Sequence, residues 1–557
     1  MTSLATRTDE HQHTLVAPPN DQEKYAYIKG GQHRWFFWAH ALAFLGIAIS
    51  FYGFSRMEYW TLIFLLPLAL YAGETLLGLR TSTYRRSVTL PDHQFTVETW
   101  APEAYPSVDV FLPTAGEPIE ILRNTYGYVG ALAYPGTTTT YVLDDMAREE
   151  VRIAAEEHGF EYIARPGSEL KKAGNLRYAF DRTEGDVIAI FDADFVPRPE
   201  FLSELVPYLD DPSVGIVQSP QFFSTPKSMH WLERAAGATQ EIFYRLIQVS
   251  RDSVNAAICC GTSALYRRSA LDAIGGFPAI AHSEDVFTGI EMDKLGYRLQ
   301  YVPVNLSQGI CPDSIDSFIT QQYRWCEGSM EIVQGEAFHT NTDMDTRQRM
   351  SFWSGFFYYA TTAMNAFFAP LPILIMILVF PQYMSAWNFL PLVPLLALWL
   401  VVYPKLLTSR WRLDVLRAQL IYSFTHAVAI YDVFFGRTSE WVPSHGSTKP
   451  APLAVKVKRL IVGYVGVTFG AVLVGLVWRL SQPEYSLTDW WAAVVFVGIN
   501  AYVFVPVFLL ALGIDLPSFK LPSRTKRAKH VDDGSAGEMS NLDEMLRTSG
   551  EKEGSRA

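Results

Sequence analysis

The strongest constraint on this chain is a long stretch without charged side chains. From residue 351 to residue 404 there is no Asp, Glu, Lys or Arg. A helix of about 20 residues crosses roughly 30 Å of hydrocarbon, so this stretch is long enough for two membrane spans. Pro381 and Gln382 lie inside it and predict the turn between the two spans. A chain with such a stretch is expected to be an integral membrane protein.

Four further apolar stretches have the length of a membrane span and carry at most one acidic residue, Glu74. They are residues 35–54, 59–79, 460–478 and 490–514. Together with the central stretch they predict six transmembrane helices, and residues 418–435 form a seventh candidate. The hydrophobic content of the whole chain is 49%, an average that hides this segregation into apolar and polar segments.

Basic residues flank these stretches mainly on one side. They are Arg80, Arg85, Arg86, Lys405, Arg410, Arg412, Lys520, Arg524, Lys526, Arg527 and Lys529, whereas the opposite loops carry only Arg56 and Arg479. The positive-inside rule therefore predicts that both termini and the central domain are cytoplasmic, in a multi-pass protein of the plasma (inner) membrane. Residues 1–34 are polar and do not resemble a cleavable signal peptide, so the first span is expected to be an uncleaved anchor.

Charge and cysteine content exclude some other classes of function. The net charge is -11, but the acidic residues are dispersed, and no basic patch with aromatic residues indicates a nucleic-acid partner. All four cysteines lie in the predicted cytoplasmic domain, where thiols stay reduced, and their spacing matches no zinc pattern. They are Cys259, Cys260, Cys311 and Cys326. Cys259 and Cys260 are expected to form a buried turn rather than to act as nucleophiles.

The polar region between the spans alternates strand-like and helix-like segments over residues 105–335. Residues 108–112, 140–143 and 187–191 are apolar runs that each end directly in polar residues, and residues 149–158 have a helical pattern. This alternation predicts a mainly parallel sheet with helices on its faces. Ligands of such sheets bind beyond the carboxyl ends of the strands, so the polar residues there are candidates for a site.

Four motifs follow one another in this region. They are Asp144-Asp145, Asp192-Ala193-Asp194, Ser283-Glu284-Asp285, and Gln321, Arg324 and Trp325 in the run Gln321-Gln322-Tyr323-Arg324-Trp325. A single Asp-x-Asp recurs by chance, but this ordered series between membrane spans resembles the processive family 2 glycosyltransferases, and most closely the bacterial cellulose synthase catalytic subunits. The resemblance covers about residues 35–515. It implies a GT-A-like (Rossmann-like) α/β domain inserted between transmembrane helices.

Asp192 and Asp194 are the candidate metal ligands. They lie one residue apart at a predicted strand end, so both carboxylates are expected to reach one hard cation. Mg²⁺ and Mn²⁺ favour one or two carboxylates together with phosphate oxygens. Such an ion neutralises a diphosphate leaving group. The alternative for the dipeptide alone is a solvated turn after a strand.

The resemblance also implies which residues hold the nucleotide-sugar. Asp144 and Asp145 correspond to the family's nucleotide-binding pair, and Thr114 and Glu117 occupy the place of its uracil-contacting motif. Between them this chain has Ala115-Gly116 where the family usually has Tyr-Asn. Lys172, in Lys172-Ala173-Gly174-Asn175, matches the family's Lys-Ala-Gly-Asn, and its ammonium is a good partner for phosphate; the alternative is a surface lysine beside a turn.

Asp285 is the candidate general base. An inverting transferase needs one carboxylate to accept the proton of the attacking hydroxyl. The alternative is structural: Ser283 or Asp285 precedes an apolar helical run and has the chemistry of a helix N-cap. The two interpretations are compatible, because a residue that caps the start of this helix also points its side chain into the predicted active-site cleft.

The last motif carries the predicted acceptor side. Arg324 has a rigid fork of donors that fits a diphosphate, and Trp325 offers a flat face on which a sugar ring can stack. The alternative for Trp325 is core packing or a membrane-interface belt. Gln321 accompanies these two residues, and Cys260 and Gly261 match acceptor-side elements of the family.

These motifs predict a metal-dependent inverting hexosyltransferase that extends a β-linked polysaccharide from a UDP-sugar and exports it. Cellulose from UDP-glucose is the first choice. The alternatives are a synthase of chitin, hyaluronan, mannan or mixed-linkage glucan, a transferase of one sugar to a lipid carrier, or a transporter or scaffold with a degenerate transferase domain. The expected partners are the UDP-sugar, the growing polysaccharide, the lipid bilayer and accessory subunits for export.

The predicted segments follow in a simple order. They are a cytosolic tail (1–34), two spans (35–80), the glycosyltransferase domain (105–335), two spans (351–405), an interfacial helix with a gating-type loop (411–452), two spans (459–515) and a disordered tail (516–557). The loop contains Trp441-Val442-Pro443-Ser444-His445-Gly446, and a plain connector is its alternative reading. The final tail is shorter than the cyclic-di-GMP-sensing barrel of many bacterial cellulose synthases, so that barrel is not expected.

Overall fold

The computed structural model describes residues 15–280, 283–437 and 451–515. Within these residues the central domain contains nine strands. They are β1 (Val108–Thr114), β2 (Thr138–Asp144), β3 (Glu161–Ala164), β4 (Val187–Ile190), β5 (Phe195–Pro197), β6 (Val214–Gln218), β7 (Ala264–Arg267), β8 (Arg298–Tyr301) and β9 (Ser307–Gly309). The three strands predicted from sequence correspond to β1, β2 and β4.

Seven of these strands form one mixed sheet in the order β3-β2-β1-β4-β7-β6-β8. Only β7 runs antiparallel to its neighbours β4 and β6, while β5 and β9 pair separately as a small antiparallel ribbon. Every residue of β1 and β4 is buried, as expected for parallel strands covered on both faces. In the register of β1 with β2, Thr114 pairs with Asp144, so the polar strand ends lie side by side.

Helices cover both faces of this sheet and connect it to the membrane segments. They are α1 (Leu90–Thr99), α2 (Ile119–Val129), α3 (Glu149–Glu157), α4 (Lys171–Phe180), α5 (Phe201–Leu205), α6 (Trp231–Ile242), α7 (Gln248–Asp252), α8 (Arg268–Ala273), α9 (Glu284–Asp293), α10 (Ile315–Gln334), α11 (Glu336–Thr340) and α12 (Val415–Phe434). Two short helices, Asp21–Lys24 and Ala26–Lys29, precede the first span.

Six helices among the described residues are long and apolar enough to cross a membrane. They are Trp35–Met57, Tyr59–Thr81, Thr346–Leu378, Ala386–Leu406, Pro452–Leu480 and Leu487–Ala511, called here the first to the sixth span. The predicted number of six is confirmed, and Pro381 and Gln382 lie in the short turn between the third and fourth spans. The seventh candidate falls on α12, which is not among the six.

Helix α12 is enclosed by protein on several sides. It packs against α10, α6 and the third, fifth and sixth spans, and Ile421, Phe424 and His426 are fully buried on it. The sequence predicts an interfacial helix here, and its position relative to a bilayer stays a prediction. The loop with Trp441 and the tail from residue 516 lie outside the described residues.

Candidate active site

The end of β1 forms a closed hydrogen-bonded turn. The Thr114 hydroxyl donates to Glu117 Oε2 at 2.6 Å, and the Ala115 N–H donates to the same oxygen at 2.8 Å. The Arg148 guanidinium donates to Thr114 Oγ1 at 3.0 Å and to the Glu117 carbonyl at 2.7 Å. The two predicted base-contacting residues therefore lie together in a turn fixed by one arginine.

Asp144 and Asp145, at the end of β2, are held by donors of the protein itself. Asp144 is fully buried and accepts hydrogen bonds from the N–H groups of Met146 and Arg148 and from the Tyr162 hydroxyl. Asp145 forms a two-pronged ion pair with Arg165, with Nε–Oδ1 and Nη2–Oδ2 distances of 2.6 and 3.2 Å. Both carboxylates are thus held in place at the end of β2, and Asp145 is the more accessible of the two.

Asp192 lies at the end of β4 and forms an ion pair with Lys172. Lys172 also donates to the carbonyl of Gly261 at 2.7 Å, and the Asp192 N–H donates to Thr262 Oγ1 at 2.9 Å. Burial alone would lower the pKa of Lys172, but the charges of Asp192 and Glu284 outweigh it and raise that pKa. Lys172 thus links the strand end to the loop before β7, and it is charged at neutral pH.

That loop, residues 260–263, brings backbone close to Asp285. Gly261 has φ +72°, and a Cβ there would lie 2.9 Å from Asp285 Oδ2, so both the conformation and the space require glycine. The Cys260 N–H donates to Gln218 Oε1, and its carbonyl accepts from Gln221 Nε2. The predicted acceptor element thus meets the candidate base through main-chain atoms, and burial raises the thiol pKa of Cys260, as a buried turn requires.

Asp285 lies in the first turn of α9. Among the described residues its carboxylate accepts one hydrogen bond, at 2.8 Å from the N–H of Val286. Burial first, and then the charge of Glu284, raise the pKa of Asp285 well above the usual aspartate range, although Lys172 opposes this shift. Ser283, at φ +53°, makes no side-chain cap to the helix. The carboxylate of Asp285 therefore has few donors of its own.

Helix α10 brings the last motif to these carboxylates. It begins after Ser314, whose hydroxyl accepts from the N–H of Ser317, and Gly328 packs so tightly on Ser283 that a Cβ would lie 1.6 Å from its hydroxyl. Burial lowers the pKa of Arg324, while the charges of Asp192, Asp194, Glu284 and Glu117 oppose the shift. Arg324 therefore lies within electrostatic reach of Asp192 and Asp194, which follow β4, and of Glu117, which follows β1.

Gln321 and Trp325 are partly exposed on the same helix, whereas Tyr323 and Cys326 are buried. Residues 321, 324 and 325 lie within about one turn of each other, so they share a side of the helix. The buried side packs on α12, where Cys326 lies against the carbonyl of His426. The partly exposed side is the one that carries the predicted acceptor residues.

The residues present fit a divalent cation bound together with a ligand. Asp192 and Asp194 supply hard oxygen donors at one strand end, and with Glu284 and Asp285 they make four carboxylates facing two cationic side chains, Lys172 and Arg324. In the described part of the chain no group of three or more His, Cys, Asp or Glu could hold a metal alone. A Mg²⁺ or Mn²⁺ ion there would complete its shell with phosphate oxygens and water.

Four residues of this site are absent from the sequence-based candidates: Arg148, Arg165, Thr262 and Glu284. Arg165 directly follows β3, so the strand-end rule that selects Asp144 and Asp192 also selects it once β3 is recognised. Arg148 follows Asp144 by four residues. Thr262 lies in the run Cys260-Gly261-Thr262-Ser263, which matches an acceptor-side element, but its contact with Asp192 depends on β7 lying beside β4. Glu284 belongs to a quoted motif, but its burial beside Asp285 needs the tertiary structure.

Comparison with known families finds similarity in the central part of the chain. Residues 187–402 match the model of the Glycosyl transferase family group 2. The chain is 36% identical over 238 residues to "Cellulose synthase 1" of Komagataeibacter xylinus, a segment covering 42% of this chain and 15% of that relative. It is 34% identical over 282 residues to the "Cellulose synthase catalytic subunit [UDP-forming]" of Pseudomonas fluorescens, covering 49% of this chain and 38% of the relative. The chain thus spans less than half the length of these curated relatives.

Two solved structures of lower similarity accompany these relatives. A mannosyltransferase from Pyrobaculum calidifontis in complex with GDP-Man and Mn²⁺ aligns with a TM-score of 0.45 and 17% identity, over 67% of this chain and 99% of that one. Glucosyl-3-phosphoglycerate synthase from Mycobacterium tuberculosis, in complex with Mn²⁺, UDP and glucosyl-3-phosphoglycerate, aligns with a TM-score of 0.28 and 18% identity, over 41% of this chain and 77% of that one. The mixed sheet, the six spans and the family match together confirm the predicted fold class.

Proposed function

We propose that this chain is a membrane-embedded, inverting hexosyltransferase, because residues 187–402 match the Glycosyl transferase family group 2 model and the chain is similar to bacterial cellulose synthases. Its proposed reaction polymerises a UDP-sugar, with UDP-glucose as first choice, into a β-linked polysaccharide such as cellulose. The product then crosses the membrane between the spans of the same chain. The proposed orientation has the catalytic domain and both termini in the cytoplasm.

One observation carries this proposal. Helix α10 carries Arg324 within electrostatic reach of Asp192, Asp194, Glu284 and Glu117, and the same helix packs on α12, the third span and the fifth span. The candidate reaction centre and the membrane helices therefore share one element. A transferase that delivers its product directly to a translocation path through the membrane needs an element common to the active site and the membrane helices. A separate soluble transferase domain does not need one.

The residues support a single displacement at the anomeric carbon of the donor. The acceptor hydroxyl forms the new C–O bond, its proton passes to the Asp285 carboxylate, and the bond to the diphosphate breaks to release UDP. Lys172 and Arg324 are the cations that face the diphosphate, with Arg324 suited to a two-pronged grip. A divalent ion held by Asp192 and Asp194 would supply charge neutralisation of the leaving group.

The nucleotide part of the donor is proposed to bind at the other end of the sheet edge, beyond the carboxyl ends of β1 and β2. Thr114 and Glu117 are proposed to contact the base, and Asp145 is proposed to contact the ribose or the base beside its ion pair with Arg165. Asp144 is proposed to support this wall from behind, because its oxygens already accept three hydrogen bonds. Directional polar groups around a nucleotide provide selectivity among donors.

The test uses the purified full-length chain in lipid nanodiscs with a panel of radiolabelled UDP-sugars. We expect UDP-glucose to be incorporated into a polymer that an endo-β-1,4-glucanase digests. Incorporation from another UDP-sugar, or digestion only by a glycosidase of another linkage, would replace glucose or cellulose in the proposal. Transfer of one sugar to lipid, without polymer, would contradict the processive reaction.

Trp325 separates polymer synthesis from simple donor hydrolysis. Trp325→Ala is expected to abolish polymer while slow release of free sugar and UDP stays within about threefold, because water needs no stacking surface. The matched control is Trp353→Ala, because Trp353 lies on the third span and packs against Phe338 of α11. Long polymer from Trp325→Ala would show that this tryptophan is a packing or membrane-belt residue.

A further inference from the structure

A cavity of about 390 Å³ lies away from the transferase site, where the fourth and sixth spans meet α6 and the loop before α12. Its apolar wall is formed by Trp399, Leu400 and Pro404 of the fourth span and by Tyr502 of the sixth. Leu400 is 47% exposed and Tyr502 is 49% exposed, so this wall continues into the apolar surface of the two spans. One side of the cavity therefore opens toward the region that hydrocarbon would occupy.

The opposite wall is basic. Arg234 and Arg412 line this wall. Arg410 lies near them, and burial together with the positive charges of Arg412 and Arg234 lowers the pKa of Arg410. Asp414 is the one acidic residue among the described residues that line the cavity, and Arg234 already pairs with it at 2.5 Å. Arg412 is exposed, and its guanidinium donates only to the neighbouring Trp411 carbonyl among the described residues. Arg410 and Arg412 are thus an excess of positive charge at the rim.

The aromatic part of the cavity is rigid. Trp411 is buried and stacks on Tyr403 with ring centroids 4.2 Å apart, and it packs on Trp399 at 5.1 Å. Arg417 donates to the carbonyl of Tyr502 and lies over its ring at 4.2 Å, which fixes the sixth span against α12. Trp411 lies between Arg410 and Arg412 in the sequence. Its packing therefore anchors the loop that carries both arginines.

We infer that this cavity binds an anionic phospholipid of the phosphatidylglycerol type, with its phosphate at Arg410 and Arg412 and an acyl chain along Leu400 and Tyr502. Basic pockets between membrane helices bind anionic headgroups in this way. The neutral glycerol headgroup fits, because a choline or ethanolamine ammonium would meet the arginines with like charge. A soluble phosphate uses the basic wall alone and leaves the apolar wall in contact with water.

The inference goes beyond the transferase proposal and is tested by binding. The full chain is purified in a mild detergent and mixed with phosphatidylglycerol or phosphatidylcholine, and retained lipid is counted by native mass spectrometry. We expect the wild type to retain one phosphatidylglycerol in preference to phosphatidylcholine. The double variant Arg410→Gln, Arg412→Gln is expected to bind it about 10- to 30-fold more weakly, at about one kcal/mol for each arginine.

Two comparisons make this result specific. Arg80→Gln, Arg85→Gln removes the same charge at the exposed basic end of the second span and is expected to leave retention unchanged. Leu413→Trp fills the cavity without changing charge and is expected to reduce retention as the arginine variant does. Equal loss in the control pair, or full retention by Leu413→Trp, would mean general electrostatic attraction and overturn the inference. Displacement of the lipid by millimolar inorganic phosphate would identify free phosphate as the ligand and also overturn it.

Discussion

The carboxylates at the two ends of the sheet edge differ in how many hydrogen-bond donors surround them. At the β1–β2 end, Glu117, Asp144 and Asp145 are each held by two or more donors from neighbouring protein groups. At the β4–α9 end, Asp285 has a single donor, a backbone N–H, among the residues that the structure describes, and Glu284 is buried at its side. Both ends are acidic, and Asp192 at the second end is paired with Lys172, so the difference lies in Asp285, which has no side-chain donor among the described residues.

This difference indicates what each end is built to do. A buried carboxylate whose hydrogen bonds are satisfied is a fixed part of a wall. A buried carboxylate with few donors beside another carboxylate has a raised pKa and favours any ligand that brings a proton or a cation. The β1–β2 end is therefore suited to recognition, and the β4–α9 end is suited to chemistry.

The largest expected effect tests the reaction end. Asp285→Asn should lower turnover by about 10²- to 10⁴-fold, because it removes the proton acceptor, while the dissociation constant for UDP stays within about threefold. Turnover and UDP affinity would be measured on the same preparations. Asp272→Asn, at an exposed position on α8, is the matched control. A loss of UDP affinity as large as the loss of rate would make Asp285 a structural residue.

The second effect concerns the cation expected at β4. Excess EDTA should abolish transfer, and Asp192→Asn should lower it by about 100-fold, since the charge on the leaving group is no longer neutralised. Restoration of the wild type by added Mg²⁺ or Mn²⁺, but not of Asp192→Asn at equal concentration, is the check. Full activity in EDTA would contradict the assignment of Asp192 and Asp194.

The third effect is a pH dependence with a defined sign. Burial and Glu284 raise the pKa of Asp285, and a general base must be deprotonated, so kcat should fall as pH falls through a value above the usual aspartate range. A raised folded-state pKa stabilises the fold below the unfolded value of about 4, and that contribution is lost as pH rises through the raised pKa. Asp285→Asn should therefore be at least as stable as wild type at pH 8. A kcat that stays flat down to pH 5 would contradict this role.

The smallest effect tests the recognition end. Arg165→Gln should weaken UDP binding by about 3- to 10-fold, because Asp145 loses the ion pair that positions it, while kcat at saturating donor stays within about twofold. Titration calorimetry and steady-state kinetics would separate the two quantities. Arg182→Gln, at an arginine that stacks on Tyr178, is the control. If Arg165→Gln reduces kcat and leaves affinity unchanged, the division between the two ends is wrong.

Strand-end reasoning recovers much of this site because parallel strands are local features. A buried apolar run followed by polar residues is visible for β1, β2 and β4, and it selects Thr114, Asp144 and Asp192 without any tertiary information. It misses Arg165 because β3 is short and partly exposed, so its pattern is weak. It also cannot see that Lys172 bridges Asp192 and Gly261, since that contact joins residues 89 positions apart.

The sequence by itself determined the six spans, the α/β domain between them and the order of the acidic motifs. Apolar length and strand-end chemistry are properties of short segments, so they survive without knowledge of the fold. Only the tertiary structure decided which carboxylates are balanced and which are not, because that depends on donors from distant segments and on burial. It also decided that α12 lies among other helices, and that Arg234, Arg412 and the apolar wall of two spans enclose one cavity.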